Sequence, residues 1–406
     1  MIAGFLFGVA ALFLLIGLHS YLTYPLTLLA IRRLNGARPV VPRDGTADND
    51  PTFAICMCAY NEEATIRDKI ANLVELRRSA ERPQILVYVD GATDGTAKVL
   101  GEYREQIVLV VSPERHGKSH GMNQLVQLAE ASVIVFTDAN VIVEPAALGR
   151  LRPYFADPAV GCVCGHLQYV NAAQSSTAWV GALYWRLEEW IKQQESDTGS
   201  TMGADGSLFA IRRECHRPVP VDLFDDMYLS LSILCDGYRV IRAPDVRAYE
   251  NTALELRDEY QRKVRVGCQA FNVHRALWSR LRDLDALSIY KYVSHKLLRW
   301  LTIFSLGAAV AFALAGIAVV GGTLLAALLA GFMALALWIG ARLRVPMLAH
   351  AFDVLALFTA TGVGVWRSLR GERFQIWTPA YSSRAPLSPD LGPPERAAAR
   401  TKTLRG

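Results

Sequence analysis

At 406 residues the chain has room for one sizeable catalytic domain plus accessory segments. Its net charge of +5 is modest, and the basic residues gather beside apolar stretches and in the tail, which argues against a nucleic-acid partner. Hydrophobic residues make up 52% of the chain and are in excess at its two ends, a pattern that implies anchoring in a lipid bilayer.

Residues 2–31 contain no charged side chain apart from His19 when protonated, and about 20 apolar residues suffice to cross a bilayer. The expectation is one spanning helix. No basic segment precedes it and no small-residue cleavage site stands out, so it reads as a retained anchor and not a removed signal peptide. Arg32, Arg33 and Arg38 follow, and the positive-inside rule places the next segment in the cytoplasm. Residues 1–38 are therefore read as an N-terminal anchor and the Pro-, Asp- and Gly-containing stretch 39–51 as a linker.

Strand and helix patterns then alternate. Strands are expected at 53–58, 85–89, 107–111 and 133–137. Between them Ile66, Ile70, Leu73 and Leu76 recur at helical spacing, and 117–129 reads as a helix. Repeated βα units imply a mainly parallel sheet with helices on both faces, over residues 52–285. The seven cysteines (Cys56, Cys58, Cys162, Cys164, Cys215, Cys235, Cys268) form no C-x-x-C pair and lie mostly in apolar runs, so they are read as buried thiols in a reducing compartment.

Residues 286–300 end in His295-Lys296-Leu297-Leu298-Arg299-Trp300, a basic and aromatic segment read as an interfacial helix. Three further spans are expected at 301–320, 323–339 and about 347–366, separated by Gly321-Gly322 and by a turn at 342–346. His350 and Asp353 are costly in lipid unless they face other helices or a water-filled path. Counting crossings puts the C-terminus outside, whereas Arg367, Arg370 and Arg373 favour the inside; both topologies stay open. The tail, 367–406, is expected to be partly disordered beyond Trp377.

Ligands of open parallel sheets bind beyond the carboxyl ends of the strands. Asp90 ends one strand and opens Asp90-Gly91-Ala92-Thr93-Asp94-Gly95-Thr96, and Asp138 ends another and opens Asp138-Ala139-Asn140. In an extended segment the first and third side chains of Asp-Ala-Asn turn to one side and can share a cation, with one charge less than two aspartates would give. Lys118 starts a helix, where both the ammonium and the helix terminus favour an anion. A Walker loop is excluded because Ser112 stands where its first glycine is needed, and a zinc-protease helix because Gly117 stands where its glutamate is needed. Asp225-Asp226 offers a carboxylate whose neighbour raises its pKa towards that of a general base.

In order and wording these segments resemble glycosyltransferase family 2, in its membrane-embedded branch with the hyaluronan, chitin and poly-N-acetylglucosamine synthases and the nodulation chito-oligosaccharide synthases. The likeness runs over about residues 52–270. It implies a GT-A-like α/β domain between N-terminal and C-terminal transmembrane helices. It implies that Tyr60, Asn61 and Glu62, closing the first strand, lie against the nucleotide, that Asp90 contacts base or ribose, and that Lys118 and Asn123 belong to the segment near the diphosphate. Asp138 and Asn140 occupy the D-x-D positions that hold a divalent cation, Mg²⁺ or Mn²⁺. Gly203, Asp205 and Gly206 fall in the loop beside the acceptor, and Asp226 at the catalytic base. Gln261-Arg262-Lys263-Val264-Arg265 stands at the Q-x-x-R-W element, with Arg262 or Arg265 for the departing diphosphate and Val266 replacing the aromatic platform of the acceptor.

The implied reaction is transfer of a hexosyl or N-acetylhexosaminyl group, with inversion, from a nucleotide sugar, expected to be a UDP-sugar, to a polysaccharide or oligosaccharide. Two alternatives stay open, a lipid acceptor and a non-catalytic scaffold that binds nucleotide sugar. A dinucleotide-dependent oxidoreductase is disfavoured because no G-x-G-x-x-G follows the first strand. Expected partners are the donor, a carbohydrate or lipid-linked acceptor, the bilayer and subunits of an export complex. The expected location is the inner membrane, with the catalytic domain cytoplasmic.

Overall fold

A computed structural model describes residues 1–37, 50–171, 175–251, 254–343 and 345–376. All but the end of the expected linker 39–51 and the expected disordered tail from Trp377 lie outside these described residues.

The chain opens with helices α1 (Ile2–His19) and α2 (Thr23–Asn35). It continues through β1 (Phe53–Ala59), α3 (Glu63–Arg77), β2 (Gln84–Asp90), α4 (Thr96–Gly101), β3 (Val108–Ser112), α5 (Lys118–Leu128) and β4 (Val133–Thr137). Next come β5 (Ile142–Val143), α6 (Ala147–Leu151), β6 (Val160–Tyr169), α7 (Ser176–Asp197), β7 (Leu208–Arg212), α8 (Asp225–Cys235), β8 (Arg239–Glu250) and α9 (Leu256–Leu281). Helices α10 (Ala286–Tyr292), α11 (Leu298–Trp300), α12 (Thr302–Leu343) and α13 (Pro346–Leu369) close the described chain, with a π-helical turn at Val293–Leu297 between α10 and α11.

The eight strands form one sheet in the order β3-β2-β1-β4-β7-β6-β8-β5. Strands β1 to β4 are mutually parallel, as the βα alternation requires. Strand β7 runs antiparallel to β4 and β6, and β8 runs parallel to β6. The carboxyl ends of β1, β2, β4, β6 and β8 therefore share one edge with the amino end of β7, so residues remote in sequence converge there.

Strands β1, β2 and β4 are mainly apolar because both faces are covered, whereas β3 at the sheet edge is partly exposed. Alternate residues separate the cores: Ala54, Cys56, Leu86 and Phe136 pack with Leu125 of α5 and Val273 of α9. Phe53, Ile55, Met57 and Val87 pack with Ile66 of α3 and Leu148 of α6. The cysteines are free thiols, and five of them (Cys56, Cys162, Cys164, Cys215, Cys268) are buried.

Among the described residues three helices are long and apolar enough to cross a membrane: Ile2–His19, Thr302–Leu343 and Met347–Leu369. Helix α12 breaks at Gly322 (φ 85°, ψ 160°), between the two apolar stretches expected at 301–320 and 323–339. Helix α1 packs along its first part, with Phe13 stacked on Phe312 at 5.8 Å and Phe7 lying against Gly316.

One expectation is corrected, and one segment packs in a way its composition alone does not reveal. The apolar run 2–31 is not one helix: it stops at His19 and restarts at Thr23. Pro25 lacks an amide hydrogen and its ring clashes with the carbonyl four residues back, so it is tolerated only in the first turn of a new helix. Helix α2 then turns to the catalytic domain, where the Tyr24 hydroxyl donates to Glu195 Oε1 at 2.6 Å and Arg32 pairs with Asp197 at 3.2 Å. The segment 286–300 does not present its basic residues outward, since His295, Arg299 and Trp300 are buried. Their partners Glu188 and Glu195 lie on α7, about a hundred residues earlier.

The last apolar helix accommodates its polar residues by burial in protein. Asp353 is fully buried and the His350 ring sits 5.0 Å from Trp179. Helix α13 approaches α9 so closely that a Cβ on Gly364 would stand 2.4 Å from the Val264 carbonyl oxygen.

Candidate active site

A cavity of about 1420 Å³ opens along the shared strand edge. Tyr60 and Glu62 reach it from the end of β1, Asp90 from β2 and Lys118 from the start of α5. Asp138 and Asn140 enter beyond β4, and Asp205 and Gly206 precede β7. Asp226 lies in the first turn of α8, while Arg262 and Arg265 project from α9.

Asp90 organises the β2 end of the cavity. Its carboxylate accepts backbone N–H bonds from His116 at 2.7 Å and from Gly117 at 3.0 Å, fixing the loop that launches α5. Gly117 there has φ +91°, a conformation that favours glycine, and it points Lys118 inward. The Arg115 guanidinium lies over the Tyr60 ring at 3.5 Å, making a flat cationic floor beside Asp90.

Charge at the centre is carboxylate-rich. The Lys118 ammonium bridges Asp138 at 2.8 Å and Asp225 at 3.3 Å. Burial works against its charge, but Asp138 and then Asp225 hold it protonated well above the usual lysine range. Asp226 is pushed up to about 7, first by burial and then by Asp225, with Lys118 opposing. Glu250, at the end of β8, is likewise raised to about 7 by burial and by the charge of Asp138. Arg265 is lowered to about 10 by burial and by Arg262, while Asp138 and Asp226 pull it the other way.

That surplus of negative charge fits a divalent cation. Among the described residues no three His, Cys, Asp or Glu side chains converge as a ready-made metal cluster. Asp138 and the Asn140 amide oxygen could hold such a cation, a sparse oxygen set that leaves the ion's other positions to water or a bound anion. The Asn140 Nδ2 donates to Glu250 Oε1 at 2.9 Å, so its carbonyl oxygen is the atom it could offer a cation. Gly206 forms a cradle at this point, where a Cβ would stand 3.0 Å from Lys118 Nζ, 3.2 Å from Asp226 Oδ2 and 3.4 Å from Asp138 Oδ2. Gly206→Ala is expected to fold normally yet to lower kcat/KM by ~10²-fold, because the methyl group presses on Lys118 and Asp226 and displaces them by fractions of an ångström. Steady-state kinetics beside a thermal melt check this, and wild-type kinetics would remove Gly206 from the site.

Several residues play parts other than those expected. Asn61 does not line the cavity: at φ +51° it takes the Thr93 amide at 2.8 Å and donates to Thr93 Oγ1 at 3.1 Å, stitching two turns together. Asn123 also lies off the cavity, exchanging two hydrogen bonds with the backbone of Val219. Arg262 lines the cavity but is engaged by Glu259 through bonds of 2.7 and 2.8 Å. Asp205 is held by Lys192 at 2.8 Å, and Gly203 has φ +108° in the same loop.

Others were not expected. Glu250 ends a strand, the same local signal that marked Asp90 and Asp138. Lys69 is buried on α3 and lowered to about 7 by that burial; it donates to Thr137 Oγ1 at 3.0 Å and to the Val141 carbonyl, tying down both sides of Asp138-Ala139-Asn140. Residues 372–376 return over the cavity after α13. Gln269 donates to the Phe374 carbonyl at 2.8 Å and Gln375 to that of His116 at 3.0 Å, so the chain leaves α13 on the catalytic domain's side.

A mostly parallel α/β sheet with this strand-edge cavity, flanked by apolar helices, defines a GT-A-like glycosyltransferase fold. The family model for glycosyl transferase family 2 matches residues 54–219. Among curated proteins, a β-monoglucosyldiacylglycerol synthase of Synechocystis sp. is 24% identical over 62% of this chain and 56% of its own length. Its counterpart from Nostoc sp. is 28% identical over 40% of this chain and 36% of its own. The chain thus spans about half the length, or less, of the curated relatives it matches. Among solved structures, a mannosyltransferase from Pyrobaculum calidifontis in complex with GDP-Man and Mn²⁺ superposes with a TM-score of 0.69 at 24% identity, over 90% of this chain and 99% of that one.

Proposed function

We propose that the protein is a membrane-bound glycosyltransferase that moves a hexose from a nucleoside diphosphate sugar to a hydroxyl group of a lipid acceptor, with inversion. One observation carries the choice of acceptor. The cavity that holds Asp90, Lys118 and Asp138 continues to Trp300 of α11 and to Phe352 and Ala356 of α13, an apolar membrane-type helix. A donor from the aqueous side and an acceptor from the bilayer would meet at Asp226. Position 266, where the resembled family carries an aromatic platform for a growing sugar chain, is Val266 on the cavity wall. The relatives whose names describe glucosylation of diacylglycerol support the same reading. The catalytic domain would face the cytoplasm, where nucleotide sugars are made.

In this reading the acceptor hydroxyl attacks the anomeric carbon in line as the sugar–phosphate bond breaks. Asp226, held near 7 and thus partly ionised at neutral pH, takes the hydroxyl proton. The electron pair leaves with the diphosphate, whose charge Lys118 and Arg265 stabilise. A divalent cation held by Asp138 and Asn140 would neutralise further charge on that leaving group.

The test is to incubate full-length detergent-purified protein and Mg²⁺ or Mn²⁺ with labelled UDP-glucose, UDP-N-acetylglucosamine or GDP-mannose, offering diacylglycerol or chito-oligosaccharides. Label that moves into the organic phase with diacylglycerol is the expected result. Label found only in water-soluble saccharide sinks the lipid reading and restores the polysaccharide acceptor.

A further inference from the structure

The membrane end of the cavity carries a cationic cluster that the transfer chemistry above does not use. Glu188 of α7 is shared by three groups: His295 Nε2 at 3.0 Å, Lys296 Nζ at 3.1 Å and Arg299 Nη1. The second ring nitrogen of His295 is occupied by Glu195 at 2.8 Å. Lys296 and Arg299 thus share one carboxylate. Arg299 is only 7% exposed and lines the cavity, yet its Nε and Nη2 have no hydrogen-bond partner among the described residues. Two unpaired guanidinium donors under that degree of burial are costly unless a ligand takes them. Lys263 completes the cluster from α9, its ammonium 4.4 Å from the Tyr184 ring centroid, against which the Arg299 guanidinium also lies.

The placement restricts what the ligand is. Lys296 lies in the π-helical turn and Arg299 in α11, directly before α12 begins at Thr302, so the cluster stands at the head of an apolar span. The adjoining cavity wall is apolar, with Trp300 and Phe352. The catalytic groups are one residue layer away: a Cβ on Gly203 would stand 3.9 Å from Lys296 Cε and 3.9 Å from Met227 Cγ, next to Asp226. An anion beside an apolar wall at a membrane boundary is an amphiphile's headgroup. An arginine fork with a nearby ammonium suits phosphate oxygens, which accept two parallel N–H bonds from the fork.

We propose that Arg299, Lys296 and Lys263 form a headgroup subsite for a phosphate-bearing lipid acceptor, seating its phosphate so that a hydroxyl of the same lipid faces Asp226. This rests on the lipid-acceptor reading and ranks a phosphorylated lipid above the neutral diacylglycerol as the better-bound acceptor.

The test is calorimetric titration of the full-length protein in detergent, a readout independent of turnover. The probes are dioctanoyl phosphatidic acid, dioctanoylglycerol and glycerol 3-phosphate. Phosphatidic acid is expected to bind about tenfold or more tighter than either other probe, since it alone offers both the anion and the chains. Lys296→Gln and Arg299→Lys are each expected to weaken it roughly tenfold, the latter because the charge stays but the fork is lost. If Arg299→Lys fails to fold, Lys263→Gln at the more exposed lysine serves in its place. Equal binding of phosphatidic acid and dioctanoylglycerol overturns the subsite and leaves a neutral lipid acceptor standing. Glycerol 3-phosphate binding as tightly as phosphatidic acid makes the ligand a soluble phosphate and also overturns it, as does tight phosphatidic acid binding that none of the substitutions weakens. Selective, lysine-dependent binding without sugar transfer to any lipid supports the subsite and refutes only the transferase reading on which the acceptor role rests.

Discussion

Asp226→Asn should lower turnover by ~10²–10⁴-fold while leaving donor affinity near wild type, because the amide keeps size and most hydrogen bonds but takes no proton from the acceptor. The pH profile carries a second signature. With the Asp226 carboxyl raised to about 7, the base is ionised above that value and protonated below it, so kcat should fall roughly tenfold per pH unit under about pH 7. Asp225 is one cause of the elevation, so Asp225→Asn should move that acid limb to lower pH at smaller cost in rate. Glu250 is raised to a similar value, and Glu250→Gln separates the two groups, since the limb should survive it. Stability follows the opposite sign. A carboxyl whose folded pKa is raised destabilises the fold once pH exceeds its unfolded pKa, because the native site resists an ionisation that the unfolded chain undergoes freely. Asp226→Asn should therefore melt no lower than wild type at pH 7 and above. A larger loss of rate at Asp225 than at Asp226 would falsify the assignment of the base.

The second large effect is expected at Asp138. Replacement by Ala removes the charged member of the cation's donor set, and transfer should fall by about 10²–10³-fold or more. Lys118, which shares itself between Asp138 at 2.8 Å and Asp225 at 3.3 Å, would then pair with Asp225 alone. Glu250 should titrate lower in this variant, since the charge of Asp138 helps to raise it. The checks are UDP release titrated with Mn²⁺ and Mg²⁺, and metal binding measured with donor present. Asn140→Asp is the companion, expected to retain transfer and tighten the cation by restoring one charge. Undiminished transfer by Asp138→Ala across the metal titration removes this residue from the cation site.

Much of this protein is fixed by local pattern. The continuous apolar runs of β1, β2 and β4 specify strands buried on both faces, and the recurrence of Ile66, Ile70 and Leu73 specifies a helix over one of those faces. Strand ends in a parallel sheet lie at the ligand edge, so the place of Asp90 and Asp138 on the cavity wall was legible from their positions alone. Composition likewise marked the apolar ends, and Gly321-Gly322 marked the break in α12. Pro25 was a local signal too, and it overrides the length of the apolar run that precedes it.

What the sequence left undecided depends on contacts between residues far apart in the chain. Asn140 meets Glu250 across 110 positions, and His295 meets Glu188 and Glu195 across 107 and 100. A basic segment before a span reads as an interfacial anchor until α7 supplies its carboxylates, and burial then costs too much for the charges to separate. Asn61 and Asn123 have the residue types of a donor site, but their hydrogen bonds go to Thr93 and to Val219 because the turns that hold them need those donors and acceptors. Side-chain chemistry sets what a residue can do, and only the packed chain sets the dielectric around it and the partner within reach. Those two conditions lift Asp226 to about 7 and leave two Arg299 donors without a hydrogen-bond partner among the described residues.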